Sequence, residues 1–537
     1  MEVRIMGRLE SVKVAAVQFE SHLGDLDGNR HRMLELAEEA AENGARLIVF
    51  PEMATSGYIF ENRQEIAPYV EPIPGPTTEL FQAVAKKYSC YLVIGLPEVD
   101  PITEIFYNSA VLIGPEGVVG RYRKTHLFAA DPRWAREGNE GIPVFSTKIG
   151  SIAMLICMDA MYFEPARIAA LKGADIIAFP TNWVGERNNP PSKTWSLRAM
   201  ENGLCWVAAN RWGQERGAQF TGGSAVIGPE GEVQDWKLSG DGIVYGVYQP
   251  HGDRKRRILE FRQPKAYQDL LLHPYLWKEG ATRPIPPQVS FEVCVAQLSN
   301  RGTLEQWLSN VSKWLESHKN EANFKHRLII LPEMDITGAE GTETSLEFYQ
   351  HSLHSIASKY GVYIVAAVPQ NIDGHRVPTA FLLGPEGCIG TYQQVHRDAL
   401  GRGGYGSLGF CTLELPFARI GLLTGGDAEF PESYRILAKQ GADLIAVSAS
   451  GTETYHSWMQ RIWAHENDVI MAVAEPCEYG RSLLFLHRQL DCEGQPDREE
   501  VLSGIFLPEM TSLARSRPFL RRLKNELYDL LVLNKTN

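Results

Sequence analysis

The sequence predicts an α/β protein that uses one domain plan twice. Short, continuously apolar runs of the kind buried on both faces of a sheet alternate with amphipathic helical stretches. Gly-Pro-Glu-Gly turns punctuate them, and blocks from the first half return in the same order in the second. Such an alternation implies a buried mixed sheet with helices on its faces.

Taken in order, VKVAAVQF (12–19) reads as a strand. Residues 29–43 follow as an amphipathic helix, with Met33, Leu36, Ala37, Ala40 and Ala41 on one face and Gly44 as its C-cap. RLIVF (46–50) is a short strand apolar on both faces, and YLVIGLP (91–97), SAVLIG (109–114), SIAMLI (151–156) and DIIAFP (175–180) are further strands. Helical stretches lie near 76–88, 163–172 and 192–203, and GPEG at 114–117 and 228–231 marks turns between strands.

The repeat is explicit. ARLIVFPEMATSG (45–57) returns as HRLIILPEMDITG (326–338), VLIGPEGVVGRYRKTH (111–126) as FLLGPEGCIGTYQQVH (381–396), and GADIIAF (173–179) as GADLIAV (441–447). VKVAAVQ (12–18) opens the first copy and FEVCVAQ (291–297) the second. Each copy is far too long for a solenoid unit, so a whole domain is duplicated. ATRPIPPQVS (281–290), with its three prolines, predicts an extended joint. The expected organisation is a domain over 1–280, a Pro-rich linker over 281–289 and a second domain over 290–537. AYQDLLLHPYLW (266–277) before the joint, and the stripe Leu520, Leu523, Leu527 and Leu530 at the chain's end, predict helical segments that pack on a core.

Composition narrows the function class. The 537 residues carry a net charge of 53 − 65 = −12, which argues against a nucleic-acid partner. No apolar run approaches the roughly 18 residues of a membrane span. The first residues mix charge and apolar side chains too evenly for a signal peptide, so a cytoplasmic location is expected. The eight cysteines form no C-x-x-C pair, and no metal-ligand spacing occurs; free thiols and no metal are expected. GRGGYG (401–406) fits a dinucleotide fingerprint, but it lacks the preceding strand and following helix and reads as a loop.

Three polar residues each follow directly on a buried strand or hairpin: Glu52 after RLIVFP, Lys124 after GPEGVVGRYR, and Cys157 after SIAMLI. Strand ends are where α/β sheets build sites. Together they make a chemical unit. A thiol attacks a carbonyl or nitrile carbon only as thiolate, so Cys157 needs a base or a cation beside it. Glu52 can take its proton and return it to a leaving amine. Lys124 can stabilise the oxyanion of a tetrahedral intermediate, helped by the backbone N–H of Met158.

FPEMATSGY, GRYRKTHLF and LICMDAMYFEP resemble the three signature blocks of the nitrilase, or carbon–nitrogen hydrolase, superfamily, and the resemblance covers essentially the whole chain, twice. It implies a four-layer αββα sandwich in each copy, no cofactor and no metal, and Glu52, Lys124 and Cys157 as a Glu-Lys-Cys triad. Many members add a second glutamate between the Lys and the Cys; here that position is Asp131, with Glu137 and Glu140 as alternatives. Tyr58, Phe128, Asn182 and Trp183 would line the pocket. Glu201, in SLRAMENG, reads as a structural hydrogen-bonding partner of its segment.

Cys157 is followed by Met158 and Asp159, as in the amidase and carbamoylase branches. Ala160, Met161, Tyr162 and Phe163 stand where carbamoylases for amino acids carry arginines. A small amide substrate follows, with an N-carbamoyl substrate, acyl transfer to an amine, or a nitrile as alternatives. A non-catalytic binding or scaffold protein is the reading from another class. In the second copy Glu333 keeps the acid position and His396 matches His126, but Gln394 stands for the lysine and Gly425 for the cysteine. That copy is expected to be inactive. Members of the superfamily pair through outer helices, so an intramolecular pseudo-dimer of the two copies is expected, with further oligomerisation left open.

Overall fold

A computed structural model describes residues 11–184, 191–250, 257–272, 289–299, 304–317, 324–334, 346–372, 374–397, 406, 409–451, 457–486, 490–510, 517 and 519–533. The chain divides into two compact units, Met1–Leu259 and Glu260–Asn537. The Pro-rich joint, apart from its end at 289, and most of GRGGYG lie outside the described residues.

The first unit opens with β1 (Val12–Gln18), α1 (Leu26–Glu42), β2 (Leu47–Val49), α2 (Arg63–Ile66), α3 (Pro76–Tyr88), β3 (Tyr91–Val99), β4 (Phe106–Gly114) and β5 (Gly117–Arg123). It continues with β6 (Val144–Thr147), β7 (Gly150–Met154), α4 (Phe163–Leu171), β8 (Ile176–Thr181), α5 (Lys193–Asn202) and β9 (Cys205–Asn210). The ribbon β10 (Trp212–Glu215) and β11 (Ala218–Thr221) leads to β12 (Ser224–Ile227), β13 (Val233–Lys237) and β14 (Gly242–Tyr248). One six-stranded sheet has the order β14-β1-β2-β3-β4-β5 and the other β13-β12-β9-β8-β7-β6. The sheets face each other, β1 lying against β9 and β12; α1 and α3 cover the first sheet and α5 the second. This is the αββα sandwich.

Helix α1 starts at Leu26 rather than at 29. Asp25 caps it, its Oδ1 accepting from the Gly28 N–H at 3.1 Å, which satisfies a donor that the first turn leaves open. Its predicted face is the buried one: Met33, Leu36, Ala37, Ala40 and Ala41 pack with Phe81, Val84 and Ala85 of α3 over Ile48, Leu92 and Ile94. Burying each of the larger side chains is worth about 1.5–3 kcal/mol, so the outer layer is fixed by packing more than by helix propensity.

The second unit repeats the plan with β15 (Phe291–Gln297), β16 (Arg327–Glu333), β17 (Tyr363–Ile372), β18 (His375–Gly384), β19 (Gly387–Gln393), β20 (Thr412–Glu414), β21 (Arg419–Thr424), β22 (Leu444–Ser448), β23 (Ile470–Ala474), β24 (Leu483–Leu486), β25 (Leu490–Glu493) and β26 (Glu500–Phe506). Its sheets run β26-β15-β16-β17-β18-β19 and β20-β21-β22-β23-β24-β25, the same order strand for strand.

The unit boundary falls at 259/260, ahead of the expected 280. Residues 264–271 form a 3₁₀ turn, with Tyr267 and Leu270 buried, that belongs to the second unit. Arg262 donates to Glu432 Oε1 at 2.9 Å, and Lys439 Nζ donates to the Leu270 and Leu272 carbonyls. Side-chain packing and these charge-assisted bonds outweigh the linker composition that follows. The stripe at the chain's end likewise forms short turns, Leu520–Arg522, Asn525–Leu527 and Asp529–Val532, with Leu520 and Leu523 buried. Among the described residues no helix is long and apolar enough to cross a membrane. Among them, too, no group of three or more His, Cys, Asp or Glu side chains is placed to hold a metal.

Candidate active site

The first unit brings Glu52, Lys124, Asp131 and Cys157 together from three connections, the one after β2, the one between β5 and β6, which carries both Lys124 and Asp131, and the one after β7. Pro51 stops β2, and the chain turns through Glu52 to Met53, whose φ is +51°. Gly95 on β3 makes room for that turn. A Cβ there would stand 2.5 Å from the Pro51 carbonyl oxygen and 2.7 Å from Glu52 Cα, closer than any side chain tolerates.

Glu52 is wholly buried, and its carboxylate accepts from three donors. Lys124 Nζ donates to Oε1 at 2.6 Å, Asn108 Nδ2 to Oε1 at 2.8 Å, and the Asn182 backbone N–H to Oε2 at 2.9 Å. Lys124 Nζ also donates to Asp131 Oδ2 at 2.7 Å. Asp131 accepts from Asn108 Nδ2 at 3.0 Å and from the Phe128 N–H at 2.9 Å. One buried ammonium therefore lies between two buried carboxylates. Burial pushes Glu52 up, Lys124 pulls it down and Asp131 pushes it up again, so it sits above the ordinary carboxylate range. Burial opposes the charge on Lys124, but Asp131 and Glu52 more than offset it and hold the ammonium well above its ordinary value.

Cys157 begins the 3₁₀ turn Cys157–Met161 that follows β7, with φ +44°, a left-handed conformation that is costly for a side-chain-bearing residue. Asp159 holds this turn. It accepts from Tyr122 Oη (2.7 Å), Thr125 Oγ1 (3.0 Å), and the backbone N–H groups of His126 (3.1 Å) and Ile156 (2.9 Å), and it pairs with His126 Nδ1 at 2.9 Å. The His126 ring stacks on Tyr162 with centroids 4.3 Å apart. Burial pushes the Cys157 thiol up to about 12 and the charge of Glu52 adds to that; Lys124, Thr181 and the Asn182 N–H pull the other way. Burial thus favours the thiol over the thiolate at this position.

Among the expected pocket residues, Tyr58 lies with its ring centroid 5.9 Å from Lys124 Nζ and its hydroxyl donating to the Phe128 carbonyl at 3.0 Å. Asn182 binds Glu52 twice, since its Nδ2 also donates to the Glu52 carbonyl at 3.0 Å. Phe128 is half-buried and reaches the cluster through its backbone. Trp183 is buried edge-on against Trp195, with centroids 5.6 Å apart. Met158 follows Cys157 inside the turn. Glu137 and Glu140 are exposed, and Glu140 pairs with Arg121 at 2.6 Å. Glu201 accepts from Arg198 at 2.6 Å, on α5. Asn108 is the member that sequence reasoning passed over. The available signal was one amide inside a strand otherwise apolar from 110 to 113.

In the second unit the same frame is filled differently. Asp427 holds the turn Gly425–Glu429 through Tyr392 Oη (2.6 Å), the His396 N–H (2.8 Å) and His396 Nδ1 (2.8 Å), and His396 Nε2 meets Tyr267 Oη at 2.5 Å. A Cβ on Gly425 would stand 3.8 Å from Glu333 Oε2 and 3.9 Å from Gln394 Oε1, so the three aligned positions do converge. Gln394 Oε1 accepts from Thr424 Oγ1 at 2.9 Å and from the Gly426 N–H at 3.2 Å. Gly426 corresponds to Met158, so the glutamine amide occupies the N–H that would otherwise face an oxyanion.

A family model described as carbon-nitrogen hydrolase matches residues 13–245 and again 292–492. A protein named nitrilase from Pyrococcus abyssi is 40% identical over 223 residues, covering 41% of this chain and 83% of that relative. An (R)-stereoselective amidase from Pseudomonas sp. is 32% identical over 224 residues, covering 41% of this chain and 79% of its own. Among solved structures, an amidase from Nesterenkonia sp. is similar at 25% identity and TM-score 0.40, over 48% of this chain and 97% of its own.

Proposed function

The chain belongs to the carbon–nitrogen hydrolase family, and from that premise we propose that its first unit hydrolyses a small amide through a thioester on Cys157. The observation that carries this reading is the Lys124 ammonium bound at once to Glu52 and Asp131, with the buried Cys157 thiol near enough to act on its charge.

Glu52 takes the Cys157 proton as sulfur attacks the amide carbon. The Lys124 ammonium and the Met158 N–H hold the oxyanion, in a site with little water to screen them. Glu52 then gives its proton to the departing nitrogen, the C–N bond breaks, and an acyl thioester remains on Cys157. A water enters, Glu52 takes one of its protons, and the hydroxide adds to the thioester carbon. Collapse expels the Cys157 sulfur, which recovers the proton from Glu52 as the carboxylic acid leaves. Asp131 supports the chemistry by keeping Lys124 charged.

The reading favours an amide because Met158 and Asp159 follow Cys157 and no arginine follows soon after Asp159 to bind a substrate carboxylate. The relative named nitrilase gives a nitrile specific support as the second reading. The second unit has neither thiol nor ammonium at the corresponding positions, and we read it as non-catalytic.

A panel of small primary amides, matched nitriles and N-carbamoyl amino acids, read by ammonia release and by product identity, tests this. Primary amides are expected to turn over fastest. Turnover of nitriles alone would exchange the substrate class. If none of the three classes turned over, hydrolysis itself would be the wrong reading.

A further inference from the structure

We infer that Asn108 is a positioning residue that keeps Glu52 ionised, by giving one amide hydrogen to Glu52 and the other to Asp131. Its Nδ2 lies 2.8 Å from Glu52 Oε1 and 3.0 Å from Asp131 Oδ1. An amide nitrogen has two hydrogens, and both are used here. Lys124 Nζ bridges the same two carboxylates from the other side. The two carboxylates and two donor nitrogens thus close a four-membered circuit.

The arrangement matters because two buried carboxylates this close tend to share a proton, and a shared proton would leave Glu52 unable to accept the one on Cys157. A single ammonium cannot compensate both charges. Asn108 supplies a neutral pair of donors, and its hydrogen bond to Glu52 favours the charged form of that carboxylate. The other titratable groups around Glu52 are Lys124, Asp131, Tyr58 and Cys157; of these, only Lys124 brings a positive charge.

The second unit supplies an internal control. Lys124 N–H donates to the Asn108 carbonyl at 2.9 Å, and Gln394 N–H donates to the Pro378 carbonyl at 2.9 Å, so Pro378 occupies the backbone place of Asn108. The ladder agrees: Ser109 pairs with Arg123 as Thr379 pairs with Gln393. A proline has no side-chain donor, and the strand forms nevertheless. The fold therefore does not require an asparagine there. The scaffold groups Tyr122, His126 and Asp159 are all kept as Tyr392, His396 and Asp427. Asn108 is missing where the lysine and the cysteine are missing.

This inference rests on reading Glu52 as the base, so its test is read in two ways. Asn108→Leu keeps a similar shape without donors, and Asn108→Ser keeps a single donor hydrogen. The first readout is the pH dependence of amide turnover. Loss of a hydrogen bond to a carboxylate raises its pKa, so the acid limb of Asn108→Leu should move up by about one pH unit. Its plateau kcat should fall at least about tenfold, with KM changed by less than about threefold. Asn108→Ser should lie between Asn108→Leu and the unsubstituted protein. The second readout is the pH dependence of Cys157 alkylation by iodoacetamide, followed by mass spectrometry of the Cys157 peptide. It should show the same upward shift, and it needs no substrate. If no amide turned over but the alkylation limb moved, the hydrolase reading would fail and this one would stand. An unchanged limb in both variants, with folding retained, would overturn the role of Asn108. A uniform loss at every pH would reduce it to packing and overturn it equally.

Discussion

Replacing Cys157 by alanine is expected to abolish amide hydrolysis by the whole chain, by at least about 10⁴-fold, while leaving it folded. The expectation depends on there being no substitute nucleophile. Gly425 stands at the matching place in the second unit, and Gln394 already occupies the N–H beside it. Cys90 and Cys205 are buried, with thiols pushed by that burial to about 11 and about 12. Alanine meets the left-handed backbone at position 157 no worse than cysteine does, and the loss of one sulfur atom costs about 1 kcal/mol. Ammonia release and thermal melting, measured on the same preparation, separate the two consequences.

Glu52→Gln and Lys124→Ala should each lower kcat/KM by at least about 10²-fold, the scale of losing a general base or an oxyanion donor. They should differ in stability. Glutamine keeps the shape of residue 52, its oxygen in the Oε1 place can still accept from Lys124 and Asn108, and Asp131 still pairs with the ammonium, so that protein should melt higher than Lys124→Ala. Its amide cannot take the Cys157 proton, and a thiol held near 12 is almost wholly protonated at neutral pH. Lys124→Ala leaves Glu52 and Asp131 buried together without their cation. Breaking a buried ion pair in this way costs about 3–5 kcal/mol, so its melting temperature should fall as well. Equal activity loss with unequal melting would match the account; full activity in either variant would not.

The fold was legible in sequence because its buried strands are continuous apolar runs and its repeat restates them. Glu52, Lys124 and Cys157 were legible because each interrupts that pattern at a strand end. Three features were not. Asn108 lies inside β4, where a polar residue in a strand reads as pattern noise, and its role appears only when two carboxylates from distant loops meet its one nitrogen. The helix was set to start at 29, where the apolar face begins, yet Asp25 caps it from Leu26 on. The expected joint was placed on the prolines, whereas the compact units divide at Leu259/Glu260. The apolar spacing at 266–277 signalled packing, but which unit it packs in is decided by long-range contacts such as the Arg262–Glu432 pair.

The central claim is a covalent one, that the acyl group passes through the sulfur of Cys157. Rapid acid quenching during turnover of a good amide substrate, followed by peptide mass mapping, measures this directly. The account predicts an acyl adduct on the Cys157 peptide, formed within the first turnover, removed by hydroxylamine and absent from the other seven cysteines. Steady turnover with no adduct on Cys157 at any quench time, together with retained activity in Cys157→Ala, would contradict it.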